Sequence, residues 1–134
     1  MPGTLLDTNV LLDLLTEDED WLDWSAAMVA EAGERGPLYI NPIIYAEVSV
    51  RFDRIEELDE ALPPTHYRRA QLPWEAGFLA GQAFLMYRKR GGTKRSPIAD
   101  FYIGAHATVA GFTLLTRDAP RYRAYFPRLR IISP

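Results

Sequence analysis

Four carboxylates fall beside the start or end of a predicted regular element: Asp7, Glu47, Asp100 and Asp118. Asp7 closes the apolar run Thr4-Leu5-Leu6, and Asp118 comes just after the apolar run Phe112 to Leu115. In parallel α/β sheets, sites form in the crevice beyond the carboxyl ends of the strands, so these two acids should face one edge of the sheet. Glu47 lies in the second turn of a helix that follows a third apolar run, Leu38-Tyr39-Ile40. Asp100 lies near the start of a helix opened by Ser96-Pro97, where the helix dipole favours negative charge. Taken singly, each of these residues has a structural role as cap, turn residue or dipole partner. Taken together they form a site. Like charges brought close need a proton or a cation. An all-oxygen donor set in a chain without cysteine selects Mg²⁺ or Mn²⁺ over zinc. Such ions activate water and stabilise a leaving oxygen in an in-line phosphodiester displacement.

The elements that must position these acids can be read from periodicity. A strand over 4–7 leads into a helix carrying Val10, Leu11, Leu14 and Leu15 at helical spacing. A second helix covers 21–34, ended with the help of Gly33 and Gly36, and a strand covers 38–40. Asn41-Pro42 has the form of a cap followed by proline at the first helical position. A short helix over 54–61 precedes a proline-bounded loop, or loop plus short strand, at 63–73. A long helix over 74–90 turns Ala76, Leu79, Ala80, Ala83 and Phe84 inward and is broken by Gly91-Gly92. The Asp100 helix should stop at Gly111. Strands over 112–115 and 129–132 complete a three-layer α/β/α sandwich with a mainly parallel central sheet, a single domain over 1–134.

Charge is divided along the chain. Residues 1–62 hold 15 of the 18 acids and 3 of the 15 bases, while residues 63–134 hold the other 3 acids and 12 bases. Two of those three acids are Asp100 and Asp118, which sets them apart from a solvated acidic face. The basic half suggests a surface that attracts a polyanion. Arg88, Lys89, Arg90, Lys94 and Arg95 crowd the loop before Asp100, and Arg117, Arg121 and Arg123 flank Asp118. All but the last two are taken as candidate contacts to such a polyanion, gripping phosphates that the carboxylates alone repel. Trp21, Trp24 and Trp74 sit at helical positions and are read as core, as are His66 and His106 as packing or surface residues rather than ligands.

Other chemistries fit poorly. No Ser-His-Asp order is suggested. Gly91-Gly92-Thr93-Lys94 lacks the strand and spacing of a phosphate loop. With no cysteine there are no disulfides or thiolate sites, in keeping with a cytoplasmic protein. No apolar run approaches the ~20 residues of a membrane helix, and Leu5-Leu6 runs straight into Asp7 without a leader-like pattern.

The segments Leu5-Leu6-Asp7-Thr8-Asn9-Val10, Tyr45-Ala46-Glu47-Val48, Ile98 to Ala107 and Leu114-Leu115-Thr116-Arg117-Asp118 resemble, in order, the four acidic motifs of PIN domains. The last two are most like those of VapC-type toxins. The resemblance covers nearly the whole chain. It implies that Asp7, Glu47, Asp100 and Asp118 are the metal-site acids, with Asn9 and Thr116 as supporting polar residues. It also implies endoribonuclease activity on RNA, a homodimer, and a small VapB-type antitoxin whose tail inhibits the site. Two rivals stand beside it. A haloacid-dehalogenase-type phosphatase wants Asp-x-Asp, and here the third place is Asn9. A non-catalytic PIN-like RNA- or protein-binding domain would not need an intact acidic quartet.

Overall fold

The computed structural model describes residues 3–95 and 98–134. Among them are five strands and seven helices. In chain order these are β1 (Thr4–Leu6), α1 (Thr8–Thr16), α2 (Leu22–Arg35), β2 (Leu38–Ile40), α3 (Pro42–Ser49), α4 (Ile55–Ala61) and β3 (Arg68–Arg69). They continue with α5 (Trp74–Lys89), α6 (Ala99–Ala110), β4 (Thr113–Leu115), α7 (Pro120–Tyr125) and β5 (Ile131–Ile132). The strands form one sheet in the order β3-β2-β1-β4-β5, with every pairing parallel.

The apolar runs read from the sequence are the centre of this sheet. Leu5 and Leu6 on β1, and Leu114 and Leu115 on β4, have no accessible surface, as expected for strands covered on both faces. Connections from β1 run to one side through β2 and β3, then return across the sheet to β4 and onward to β5. Right-handed crossovers therefore put α1 to α4 on one face and α5 to α7 on the other. Within each group the helices pack together, α1 on α2 and α3, and α5, α6 and α7 on one another, while α3 and α6 meet across the division. The reversal of strand order falls between β1 and β4, where a crevice opens at their carboxyl ends.

Local chemistry explains the element ends. Asn41 Oδ1 accepts from Ile44 N at 2.9 Å, with Pro42 at the first helical position of α3. Its Nδ2 lies 3.0 Å from His106 Nδ1, so buried His106 joins α6 to the cap of α3 as a packing residue. His66 is exposed. Gly111 ends α6 at φ +75°, a left-handed turn that a side chain would strain. The expected opening of α6 at Ser96-Pro97 lies outside the described residues; from Ile98 onward α6 starts without a side-chain cap.

Three expectations need correction. α7 has no counterpart in the sequence reading. β5 spans only Ile131–Ile132 rather than 129–132. Trp74 is 94% exposed rather than core, because the first turn of α5 carries it away from α6, while Ala76, Ala80 and Ala83 make the buried stripe. Trp21 and Trp24 are half-buried and meet edge to face at 6.0 Å. Among the described residues no helix is long and apolar enough to cross a membrane.

Candidate metal centre

The ladders on both sides of β4 run one residue past its strand partners: Asp7 N, after β1, donates to Leu115 O at 2.9 Å, and Thr116 N donates to Ile132 O of β5 at 3.1 Å. Backbone pairing thus delivers Asp7 and the Thr116–Asp118 turn to one edge. Asp7 then caps α1, accepting from Thr8 N at Oδ1 (2.8 Å). Glu47 arrives from α3 and Asp100 from the first turn of α6. The result is a cleft of about 250 Å³ lined by Asp7, Thr8, Asn9, Leu12, Glu47, Asp100 and Asp118. All four acids singled out by the sequence line it. A larger cleft of about 330 Å³ lies by β2, α3 and β3, but its one charged side chain, Arg69, is bound to Asp59 at 2.7 Å. It offers no comparable cluster of reactive groups.

Hydrogen bonds fix the carboxylates at graded depths. Asp7 is buried, Glu47 and Asp100 are half-buried, and Asp118 is exposed at the mouth. Asp7 Oδ2 accepts from Thr116 Oγ1 (2.7 Å), Tyr122 OH (3.0 Å) and, at 3.4 Å, Asn9 Nδ2. Thr116 Oγ1 in turn accepts from Asp118 N at 3.1 Å and Asn9 Nδ2 at 3.3 Å. Asn9 Oδ1 accepts from Arg117 N at 3.1 Å. Asn9 and Thr116 therefore act as struts between Asp7 and the Asp118 turn. Asn9 also takes the place that a second aspartate would hold in a phosphatase of the rival kind. Thr8 Oγ1 donates to Glu47 Oε1 at 2.6 Å, and Arg121 Nη1 lies 3.4 Å from Asp100 Oδ2.

Two residues at the cleft escaped the sequence reading. Tyr122, buried on α7, places its hydroxyl 3.0 Å from Asp7 Oδ2 and 3.2 Å from Asp100 Oδ1. Thr8, present in the first motif but not assigned a supporting role there, is the second, through its hydroxyl on Glu47. Both act by hydrogen bonding across the fold, which leaves no local sequence mark.

Burial pushes the Asp7 carboxyl up to about 6; the nearby Asp100 charge adds to this, while Thr116, Tyr122 and the Thr8 amide oppose it. Burial, and then the two carboxylates, hold the Tyr122 phenol above its ordinary range, so it stays a donor. Among the described residues no three acidic or histidine side chains close into a ready coordination cage. The donor set nevertheless fits a hard divalent cation: four carboxylates line one cleft, and the deepest is pushed toward protonation by burial and by the neighbouring Asp100 charge, which a bound cation would offset.

The basic residues divide into two groups. Arg88 Nη1 donates to Lys94 O at 2.6 Å, and Arg90 Nη1 to Ala124 O at 3.4 Å with its guanidinium 5.0 Å from the Tyr125 ring centre. Arg88 thus braces the loop on α5, and Arg90 ties the end of α5 to α7. Lys89, Lys94 and Arg95 have exposed side chains. Arg117 turns away from the cleft: its guanidinium makes two bonds to Asp13, at 2.8 and 3.0 Å.

A family model described as PIN domain matches residues 4–127. No curated relative matches the chain by sequence. Among solved structures, VapBC-1 from nontypeable Haemophilus influenzae is similar at a TM-score of 0.73 and 18% identity, covering 97% of this chain and 96% of that one. VapBC2 from Rickettsia felis, solved bound to a DNA fragment from its promoter, gives 0.70 and 15%, covering 98% of each chain. DNA-bound VapBC from Salmonella typhimurium gives 0.68 and 18%, covering 99% and 98%. At these identities the likeness is one of fold.

Proposed function

The chain belongs to the PIN domain family, and from that premise we propose that it is a metal-dependent endoribonuclease, the toxin of a type II toxin–antitoxin pair. The observation that carries this reading is the convergence of Asp7, Glu47, Asp100 and Asp118, from four different elements, on one cleft.

Mg²⁺ or Mn²⁺ held by these acids would supply an activated water and neutralise charge on the phosphodiester. The chain's own residues prepare for that role. Thr116, Asn9 and the Thr8 amide hold the Asp7 carboxylate in one orientation, and Thr8 Oγ1 does the same for Glu47. Asp118, exposed at the mouth, is best placed to accept a proton from water. Lys89, Lys94 and Arg95 precede Asp100 and are proposed to hold the RNA backbone on either side of the cut. Arg121, bound to Asp100 from the rim, is a further cation within reach of a phosphate.

Two partners are proposed beyond RNA. A small VapB-type antitoxin with a basic tail would place an Arg or Lys side chain in the negative cleft in place of metal. The likeness in fold to the VapBC complexes supports that expectation. A second copy of the chain is expected on the exposed apolar surface of α5, where Trp74 is 94% and Phe78 72% exposed. The expected compartment is the cytoplasm.

The test is incubation with a pool of structured cellular RNAs and, separately, with a small phosphate ester, in Mg²⁺, Mn²⁺ or chelator. Metal-dependent RNA cuts that vanish in Asp7→Asn and Asp100→Asn are expected. Cleavage by those variants at the wild-type rate would overturn the assignment, and hydrolysis of the ester alone would favour a phosphatase.

A further inference from the structure

Arg117 stands between Thr116 and Asp118, yet its side chain takes no part in the cleft. Its guanidinium makes a two-pronged bond to Asp13, Nε to Oδ2 at 2.8 Å and Nη2 to Oδ1 at 3.0 Å. Asp13, on α1, is 2% exposed and also accepts from Ser25 Oγ of α2 at 2.6 Å. The Arg117 guanidinium lies 5.0 Å from the ring centre of Trp21, just ahead of α2. Its backbone N–H is spent as well, on Asn9 Oδ1 of α1. One residue thus ties the turn after β4 to α1 and α2 through both main chain and side chain.

We propose that Arg117 is a positioning residue, a latch locked by buried Asp13 that fixes Thr116 and Asp118 at the cleft, and that it makes no contact with RNA. The inference rests on the metal-nuclease reading for its consequence, though not for its geometry. A two-pronged guanidinium–carboxylate bond has one geometry, which a lysine cannot reproduce. The turn it clamps carries the hydroxyl that holds Asp7 and the carboxylate at the mouth. With the latch open, Thr116 and Asp118 lose their fixed register against Asp7. Loss of such a supporting partner commonly weakens metal binding by ~10–100-fold.

The test compares Arg117→Lys, Asp13→Asn and the surface control Glu57→Gln in the full chain, below their melting points. Three quantities are read: Mn²⁺ affinity by calorimetry, amide exchange at residues 116–119, and kcat and KM for RNA. The latch predicts that both Arg117→Lys and Asp13→Asn weaken Mn²⁺ binding by about tenfold or more. Both should also speed exchange at 116–119 and lower kcat, with little change in KM. An RNA-contact role predicts a raised KM for Arg117→Lys, unaltered Mn²⁺ binding, and no loss in Asp13→Asn, which frees the guanidinium. That pattern, or variants that match the wild type in Mn²⁺ affinity and exchange, overturns the latch. Should Asp13→Asn fail to fold, Ser25→Ala replaces it, with the same signs expected. If the wild type itself binds no Mn²⁺, the metal reading fails and exchange at 116–119 alone decides the latch.

Discussion

The hydroxyl of Tyr122 donates to Asp7 Oδ2 at 3.0 Å while lying 3.2 Å from Asp100 Oδ1. A phenol has one proton, so one donor serves two carboxylates that would otherwise face each other unscreened. Tyr122→Phe should leave the fold intact and remove that donor. We expect a loss of about 1–2 kcal/mol in chelator at pH 8, seen as a fall in Tm of several degrees. Asp7 should also become harder to ionise, so half-saturation with Mn²⁺ moves to higher pH. Melting curves and Mn²⁺ titrations across pH check both; no change in either removes Tyr122 from the site.

Metal-free stability should fall as pH rises through the range set by Asp7. Its carboxyl titrates at about 6 in the fold against an ordinary 3.8, so between these values the folded chain binds more protons than the unfolded one. Stability from this group is greatest below pH ~4 and declines until the pH is well above 6, by about 3 kcal/mol in all. Saturating Mn²⁺ should reverse the slope, because ligands bind metal deprotonated. Chemical denaturation at pH 5 and pH 8, with metal and with chelator, measures this. Equal slopes in the two conditions would sink the prediction.

Asp100→Asn removes a charge that raises the Asp7 carboxyl. Its partner Arg121 lies at a partly exposed 3.4 Å contact, the kind of pair that contributes about 0–1 kcal/mol. Relief of repulsion should therefore win: Tm in chelator rises, and the gain in Tm on adding Mg²⁺ or Mn²⁺ shrinks. Glu57→Gln should move neither. A full metal response with unchanged or lower metal-free stability would make Asp100 a helix-end residue and no ligand.

Trp74→Glu should convert a dimer to a monomer, measured by sedimentation. Residue 74 is 94% exposed in the isolated chain, so the substitution disturbs no packing within it. Mn²⁺ affinity should be unchanged. A wild-type chain that sediments as a monomer at high concentration would show that this apolar surface has another use.

Legibility in the sequence followed how local each determinant is. Asp7 and Asp118 could be placed because a buried parallel strand reads as an apolar run and its carboxyl end is then known. Asn41-Pro42 announces α3 by its own cap chemistry, and that helix carries Glu47. Tyr122 could not be placed, since Pro120–Tyr125 is one short basic helix with little periodicity and its meaning lies in contacts with distant residues. Arg117 and Asp13 show the same limit. One reads as a cation beside an acidic motif and the other as an ordinary helix acid, and only the fold pairs them. Trp74 misled for a different reason: its helical spacing matches a core position, but α5 buries its small residues and leaves the large one in solvent.

The order of strands in the sheet also times the assembly of the cleft during synthesis. β1 occupies the middle of the sheet and emerges first, but its neighbour β4 is made only after α6. Until then Asp7 lacks the Leu115 carbonyl, the Thr116 hydroxyl and Tyr122, and Asp118 does not exist. Parallel pairing between opposite ends of a chain is slow to close. Until residues 113–122 are made, a nascent chain therefore holds Asp7 without the partners that fix it, and the four-carboxylate cleft is incomplete.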